Sequence, residues 1–172
     1  MNPNSKKILI TIVVLALVVV IIETAGGEGM ALQNLESYAG REDLPMGIRQ
    51  NNPLNLRTTK TNWLGQTSSK KAFVEFSYLV YGVRAGIKNL RSIYNRGNFT
   101  VEKIIKIWAP STDGNTPDVY AKIVASAMGI GVDEPFSFDK ENAWRMVQAM
   151  CKVEQGANYI DQTTFNMAWA IS

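Results

Sequence analysis

Ile8 to Ile22 is a run of fifteen uncharged residues filled with Ile, Leu and Val, and it divides the chain more sharply than anything else in it. Lys6 and Lys7 precede the run and Glu23 follows it. As a helix at about 1.5 Å per residue it reaches about 22 Å, less than the roughly 30 Å of bilayer hydrocarbon, so the flanking charges must snorkel or the bilayer must thin. Glu23-Thr24-Ala25 lacks the small-x-small pattern of a signal-peptide cleavage site, which favours an uncleaved anchor. The lysines place the N-terminal tip in the cytoplasm and send the remainder across the membrane. Three glycines within Ala25-Gly26-Gly27-Glu28-Gly29 then make a flexible tether. The expected organisation is therefore a basic tip over 1–7, a transmembrane anchor over 8–24, a linker over 25–29 and one domain over 30–172, long enough to bury a core.

The residues the chain lacks restrict its chemistry. It has no histidine, which removes histidine general bases, Ser-His and Cys-His nucleophile pairs and histidine metal ligands, so catalysis must rest on carboxylates. A single cysteine, Cys151, forms neither an internal disulfide nor a thiolate zinc site, and free cysteine is usually a small core residue. No metal or organic cofactor is called for. From Met30 onward sixteen basic residues face thirteen acidic ones, without the basic footprint of a nucleic-acid binder.

Helical patterns dominate the domain. Ile87, Leu90, Ile93 and Tyr94 recur at helical spacing within Arg84 to Arg96. Thr100 is positioned to cap a second helix that Pro110 stops, and Thr116-Pro117-Asp118 opens a third that Gly129 ends. Asp139 starts a fourth, running to Gln155 before Gly156, and Thr163 or Thr164 a short last one. Leu54 to Arg57 and Phe73 to Phe76 are the strand candidates, a small hairpin around Trp63-Leu64-Gly65. The fold class expected is α+β and mainly α.

Along the fourth helix Ala143, Val147, Met150, Cys151 and Glu154 share one face, so Glu154 is a carboxylate carried beside the core at the helix end. Loss of hydration and the negative end of the helix dipole would both disfavour its anion there, which suits a general acid for a glycosidic oxygen. The competing reading is a last-turn glutamate that simply reaches water. Upstream, Gly47-Ile48-Arg49-Gln50-Asn51-Asn52-Pro53-Leu54-Asn55-Leu56-Arg57 is rich in amide and guanidinium groups. Such groups serve as turn formers, or as partners for sugar hydroxyls, N-acetyl groups and peptide carboxylates. Trp63 and Trp108 offer flat faces for sugar rings, or core anchors.

This stretch resembles the GIRNNNPGNIR signature of a phage and prophage family known as structural protein P5. Trp63-Leu64-Gly65 is similar to that family's WxG, Phe73 to Phe76 to its FxxF and Tyr81 to Ala85 to its GxRA element. Trp108-Ala109-Pro110 with Asn115-Thr116 and Tyr120 resembles its WAP…NTxxY element, and Val153 to Gly156 its closing acid-amide-glycine. The departures are Gln50 for asparagine, Leu54 for glycine and Gln155 for asparagine. The resemblance implies a virion component with a lysozyme-like, peptidoglycan-degrading domain whose catalytic acid is Glu154. Glu36, followed by Ser37 like the early Glu-Ser of soluble transglycosylases, is the alternative acid. Asn51, Asn52, Asn55, Arg57 and Tyr120 would bind substrate. The expected activity is cleavage of the bond between N-acetylmuramic acid and N-acetylglucosamine when the genome enters or leaves the cell, by transglycosylation rather than hydrolysis. Expected partners are peptidoglycan, the lipid membrane and capsid or other virion proteins, with no nucleic acid. The domain would stand on the outer, periplasmic side of a virion membrane or host inner membrane. The alternative is a non-catalytic virion protein that links membrane to capsid.

Overall fold

The computed structural model describes residues 35–68 and 72–172. The expected tip, anchor and linker lie outside the described residues, and no helix among the described residues is long and apolar enough to cross a membrane. The described part is mainly helical with one small antiparallel sheet. A four-residue helix α1 (Met46–Arg49) leads into the amide-rich loop, and β1 (Gln66–Ser68) pairs with β2 (Glu75–Phe76). Five helices follow: α2 (Leu79–Asn95), α3 (Val101–Trp108), α4 (Pro117–Met128), α5 (Lys140–Gln155) and α6 (Gln162–Ala170), with a 3-10 turn at Ser111–Asp113.

Helix α2 is the centre of the core. It starts five residues before the amphipathic pattern suggests, because Leu79 to Val83 are buried around much of its girth. It packs against α6, α3, α5 and β2, while α4 sits between α3 and α5. Leu79, Val83, Ile87 and Leu90 from α2 meet Ile104 and Ile105 of α3, Val124 of α4 and Met146, Val147 and Met150 of α5, all inaccessible to solvent. The helix boundaries follow the capping chemistry. The Thr100 hydroxyl accepts from the Lys103 amide, and the Asp139 carboxylate from the Asn142 amide. The last helix is capped by Asp161, whose carboxylate accepts from the Thr164 amide at 2.6 Å, rather than by Thr163 or Thr164.

The expected hairpin of 54–57 with 73–76 is only partly formed. Arg57 and Phe73 make an isolated bridge, and the sheet proper runs through 66–68 instead. The reason is Asn55, whose φ of 50° is left-handed and breaks the extended backbone an uninterrupted strand needs.

Two glycines in α2 let the amide-rich loop lie directly on that helix. A Cβ on Gly82 would stand 1.9 Å from the Asn51 carbonyl oxygen, and one on Gly86 would stand 2.4 Å from Leu54 Cδ1. Leu54 is therefore the side chain that fills the notch over Gly86, fully buried.

Candidate active site

The loop between α1 and β1 is fixed by its own asparagines. Asn51, at φ 52°, is fully buried. Its amide donates to Ser37 Oγ at 2.9 Å and to the carbonyls of Phe76 and Ser77, and its oxygen accepts from the Tyr38 amide at 2.8 Å. Asn52, also fully buried, donates to the carbonyls of Leu56 and Val74 and accepts from the Leu56 amide. These two residues do not reach the cleft described below. Left-handed backbone and unpaired strand ends need polar side chains at those positions, and asparagine supplies both demands. They brace the loop and are not placed to touch a substrate.

Asn55 emerges from that braced loop toward the end of α5. Its Nδ2 donates to Glu154 Oε2 at 2.8 Å, and the Tyr120 hydroxyl on α4 donates to Glu154 Oε1 at 2.9 Å. Each oxygen of Glu154 thus holds one donor, from two different parts of the chain, and keeps a second lone pair free. Gln155 fixes the arrangement from behind. Its Nε2 donates to Asn55 Oδ1 at 2.9 Å and to the Pro53 carbonyl at 3.1 Å. A backbone carbonyl can only accept, so Gln155 must present its NH2 there, Asn55 must present its oxygen to Gln155, and the Asn55 NH2 is left facing Glu154. Gly47 makes room for the pair: a Cβ on it would stand 2.3 Å from Gln155 Nε2 and 2.4 Å from Asn55 Oδ1.

Glu154 is half-buried. Its surroundings differ from the apolar pocket expected of a residue on the inward face of α5, because the last turn of the helix comes out against the amide loop and Tyr120. Tyr120 itself is buried, and that burial, reinforced by the Glu154 charge, pushes its hydroxyl pKa far above the ordinary tyrosine range. The hydroxyl therefore keeps its proton and acts as a donor. Gly156, at φ 80°, serves as the left-handed cap of α5, and the space a Cβ on it would enter is open.

Glu154 opens onto a cleft of about 870 Å³. Asn55, Arg57, Trp63 and Phe73 form one part of its lining, Trp108, Asp113 and Asn115 another, and Lys88, Asn89 and Ser92 of α2, with Arg96 at its C-cap, a third. Arg57 joins two of these parts, with Nη2 3.2 Å from Asp113 Oδ2 and its guanidinium 5.4 Å from the centre of the Phe73 ring. Both tryptophans singled out in the sequence are on this surface. Glu36 is not. It is exposed, accepts from the Tyr38 hydroxyl, and its carbonyl receives the Leu79 amide at the start of α2, away from the cleft-lining end of that helix. Among the described residues no group of three carboxylate or thiol side chains is placed to hold a metal ion.

Over 118 aligned residues the chain is 32% identical to Protein P5 of Pseudoalteromonas phage PM2, an alignment taking in 65% of this chain and 72% of that protein. The chain belongs to the phage protein P5 family. No family model matches it. In this P5-family chain the motif-like residues divide by geometry: Gly47, Asn51, Asn52, Gly82 and Gly86 hold the loop, whereas Asn55, Arg57, Trp63, Trp108 and Glu154 face the cleft. The α2 wall of Lys88, Ser92 and Arg96 was not singled out from sequence. Its trace there is a set of polar residues four apart on an amphipathic helix.

Proposed function

We propose that this chain is a lysozyme-like glycosidase of the virion, anchored by Ile8 to Ile22, that opens peptidoglycan locally as the genome enters or leaves the cell. The observation that carries the reading is Glu154, held by Asn55 on one oxygen and Tyr120 on the other at the wall of a cleft that also contains Trp63 and Trp108. Held this way, the carboxyl has one free lone pair per oxygen to bear and pass a proton to the glycosidic oxygen between N-acetylmuramic acid and N-acetylglucosamine. As that proton arrives, the C1–O bond breaks and the electron pair leaves with the departing sugar. The other acid lining the cleft, Asp113, is engaged by Arg57, so completion falls to the substrate: its hydroxymethyl oxygen, directly or after the N-acetyl oxygen has held C1, bonds to C1 to close an anhydro ring and gives its proton to the Glu154 carboxylate, the transglycosylase route. Stacking of sugar rings on the tryptophans supplies orientation.

The purified 172-residue chain and its Glu154→Gln variant, incubated with peptidoglycan sacculi, test this. Soluble muropeptides released by the first and not the second support it. An inert but folded wild type supports the second reading, a non-catalytic virion protein linking membrane and capsid. One feature favours that second reading: both oxygens of Glu154 already have partners within the protein, as an acid kept to tie α4, α5 and the loop together would.

A further inference from the structure

The proposed cleavage leaves open which part of the cleft holds the acidic groups of peptidoglycan, and the charge on its α2 wall bears on that. Resting on that function, we propose that the wall built from Lys88, Ser92 and Arg96 is a carboxylate subsite that holds the acidic groups of the strand.

Helix α2 carries Arg84, Lys88 and Arg91 and no acid along its whole length, and Arg96 caps its end. Lys88, Ser92 and Arg96 follow one another at four-residue spacing and so share a face, and that face lines the cleft. The same three residues, with Arg91 and Asn95, continue into an adjoining depression of about 430 Å³ that has no acidic residue in its lining. The charges on this wall are largely uncommitted. Lys88 is exposed and makes no ion pair or hydrogen bond among the described residues, and Arg96 donates through Nη1 only to Ser92 Oγ, at 2.9 Å. Arg91 lies 4.6 Å above the Trp169 ring, which fixes its guanidinium beside them. Compensation of the helix dipole does not account for Lys88 or Arg91, neither of which lies in the last turn; Arg96, at the C-cap, does face the negative end of that dipole. Elsewhere in the lining the case differs: Arg57 is already matched by Asp113. The lining thus combines Glu154 and two tryptophans with Lys88 and Arg96, cations without an acidic partner among the described residues. A neutral sugar polymer uses only the first part. A strand with carboxylates projecting from its sugars uses both, through charge-assisted hydrogen bonds to the ammonium and guanidinium groups. The carboxylates of peptide stems and those of bare lactyl groups fit this chemistry equally.

Binding, rather than turnover, tests the inference independently of the glycosidase reading. The Glu154→Gln chain is sedimented with sacculi, with strands stripped of their peptides by an amidase, and with chitin, at low salt and at roughly 0.5 M salt. Expected are retention on sacculi that falls about tenfold at the higher salt, weak and salt-insensitive retention on chitin, and an about tenfold loss on sacculi for Lys88→Glu with Arg96→Glu. The Lys88→Gln, Arg96→Gln pair serves if the charge-reversed chain fails to fold. Retention on stripped strands shows that freed lactyl carboxylates fill the subsite as well as those of the stems, and its loss there confines the subsite to the stems. Equal binding to chitin and sacculi, or undiminished binding by the double variants, overturns the inference. If the wild-type chain releases no fragments while the binding pattern holds, the catalytic role of Glu154 fails and the carboxylate subsite stands.

Discussion

Gln155 Nε2 lies 2.9 Å from Asn55 Oδ1, and this one contact turns the Asn55 amide so that its NH2 points at Glu154, the neighbour of Gln155 in sequence. The two residues are a hundred positions apart, yet Gln155 fixes the amide that holds one oxygen of the Glu154 carboxyl, while Tyr120 holds the other. Gln155→Ala frees the Asn55 amide to rotate. We expect the rate of peptidoglycan fragment release to fall about tenfold with little change in binding to sacculi, since positioning rather than affinity is lost. Equal losses in both would show that Gln155 acts only by holding the fold.

Tyr120→Phe keeps the buried ring and removes the donor to Glu154 Oε1. The half-buried carboxyl can take water in place of the hydroxyl, so stability should drop by only about 1 kcal/mol. Fragment release should fall roughly tenfold. Urea unfolding together with a release assay separates the two effects.

Asn51→Ala should behave in the opposite way. The side chain holds Ser37, Tyr38, Phe76 and Ser77 together and sits at a left-handed backbone position. Its loss strands buried donors and acceptors and should cost about 3 kcal/mol, read as a fall in thermal midpoint. Activity per folded molecule should be largely kept at temperatures where the variant remains native.

The division between Asn51 and Asn55 is the part of the site that was least legible in the sequence. Both are asparagines in one loop, and nothing local distinguishes an amide that holds backbone from one that faces a carboxylate. What distinguishes them is the contact of the loop with α2 and α5, made possible by Gly47, Gly82 and Gly86, whose missing Cβ atoms matter only once partners are known. The helices read well because capping and periodicity are local: Asp139 and Gly156 bound α5 in sequence and in space. Glu154 and Tyr120 were identifiable through the helix face and the family-like motifs. The Lys88 wall was missed because exposed lysines on a helix carry no local signal of the cleft beside them.

Alkaline pH should weaken the fold through groups beside this site. Burial, with the Glu154 charge adding to it, pushes the Cys151 thiol from 9.0 up to about 11, and Tyr120 is displaced upward as well. Both hold their protons more tightly folded than unfolded. Their contribution is fully present below the unfolded thiol value near pH 9 and is lost as pH rises through the folded one. Urea midpoints should therefore be insensitive to these groups up to about pH 9 and fall above it. Tyr120→Phe should show a shallower alkaline fall, and an unchanged slope would remove Tyr120 from the explanation.

The most direct measurement of the central claim is muropeptide release from sacculi by the 172-residue chain beside Glu154→Gln, with the fold of each checked by circular dichroism. Release by the wild type, reduced at least about a hundredfold in the variant while the fold is kept, is the result expected of a general acid. Equal release by both, or none by a folded wild type, would contradict it.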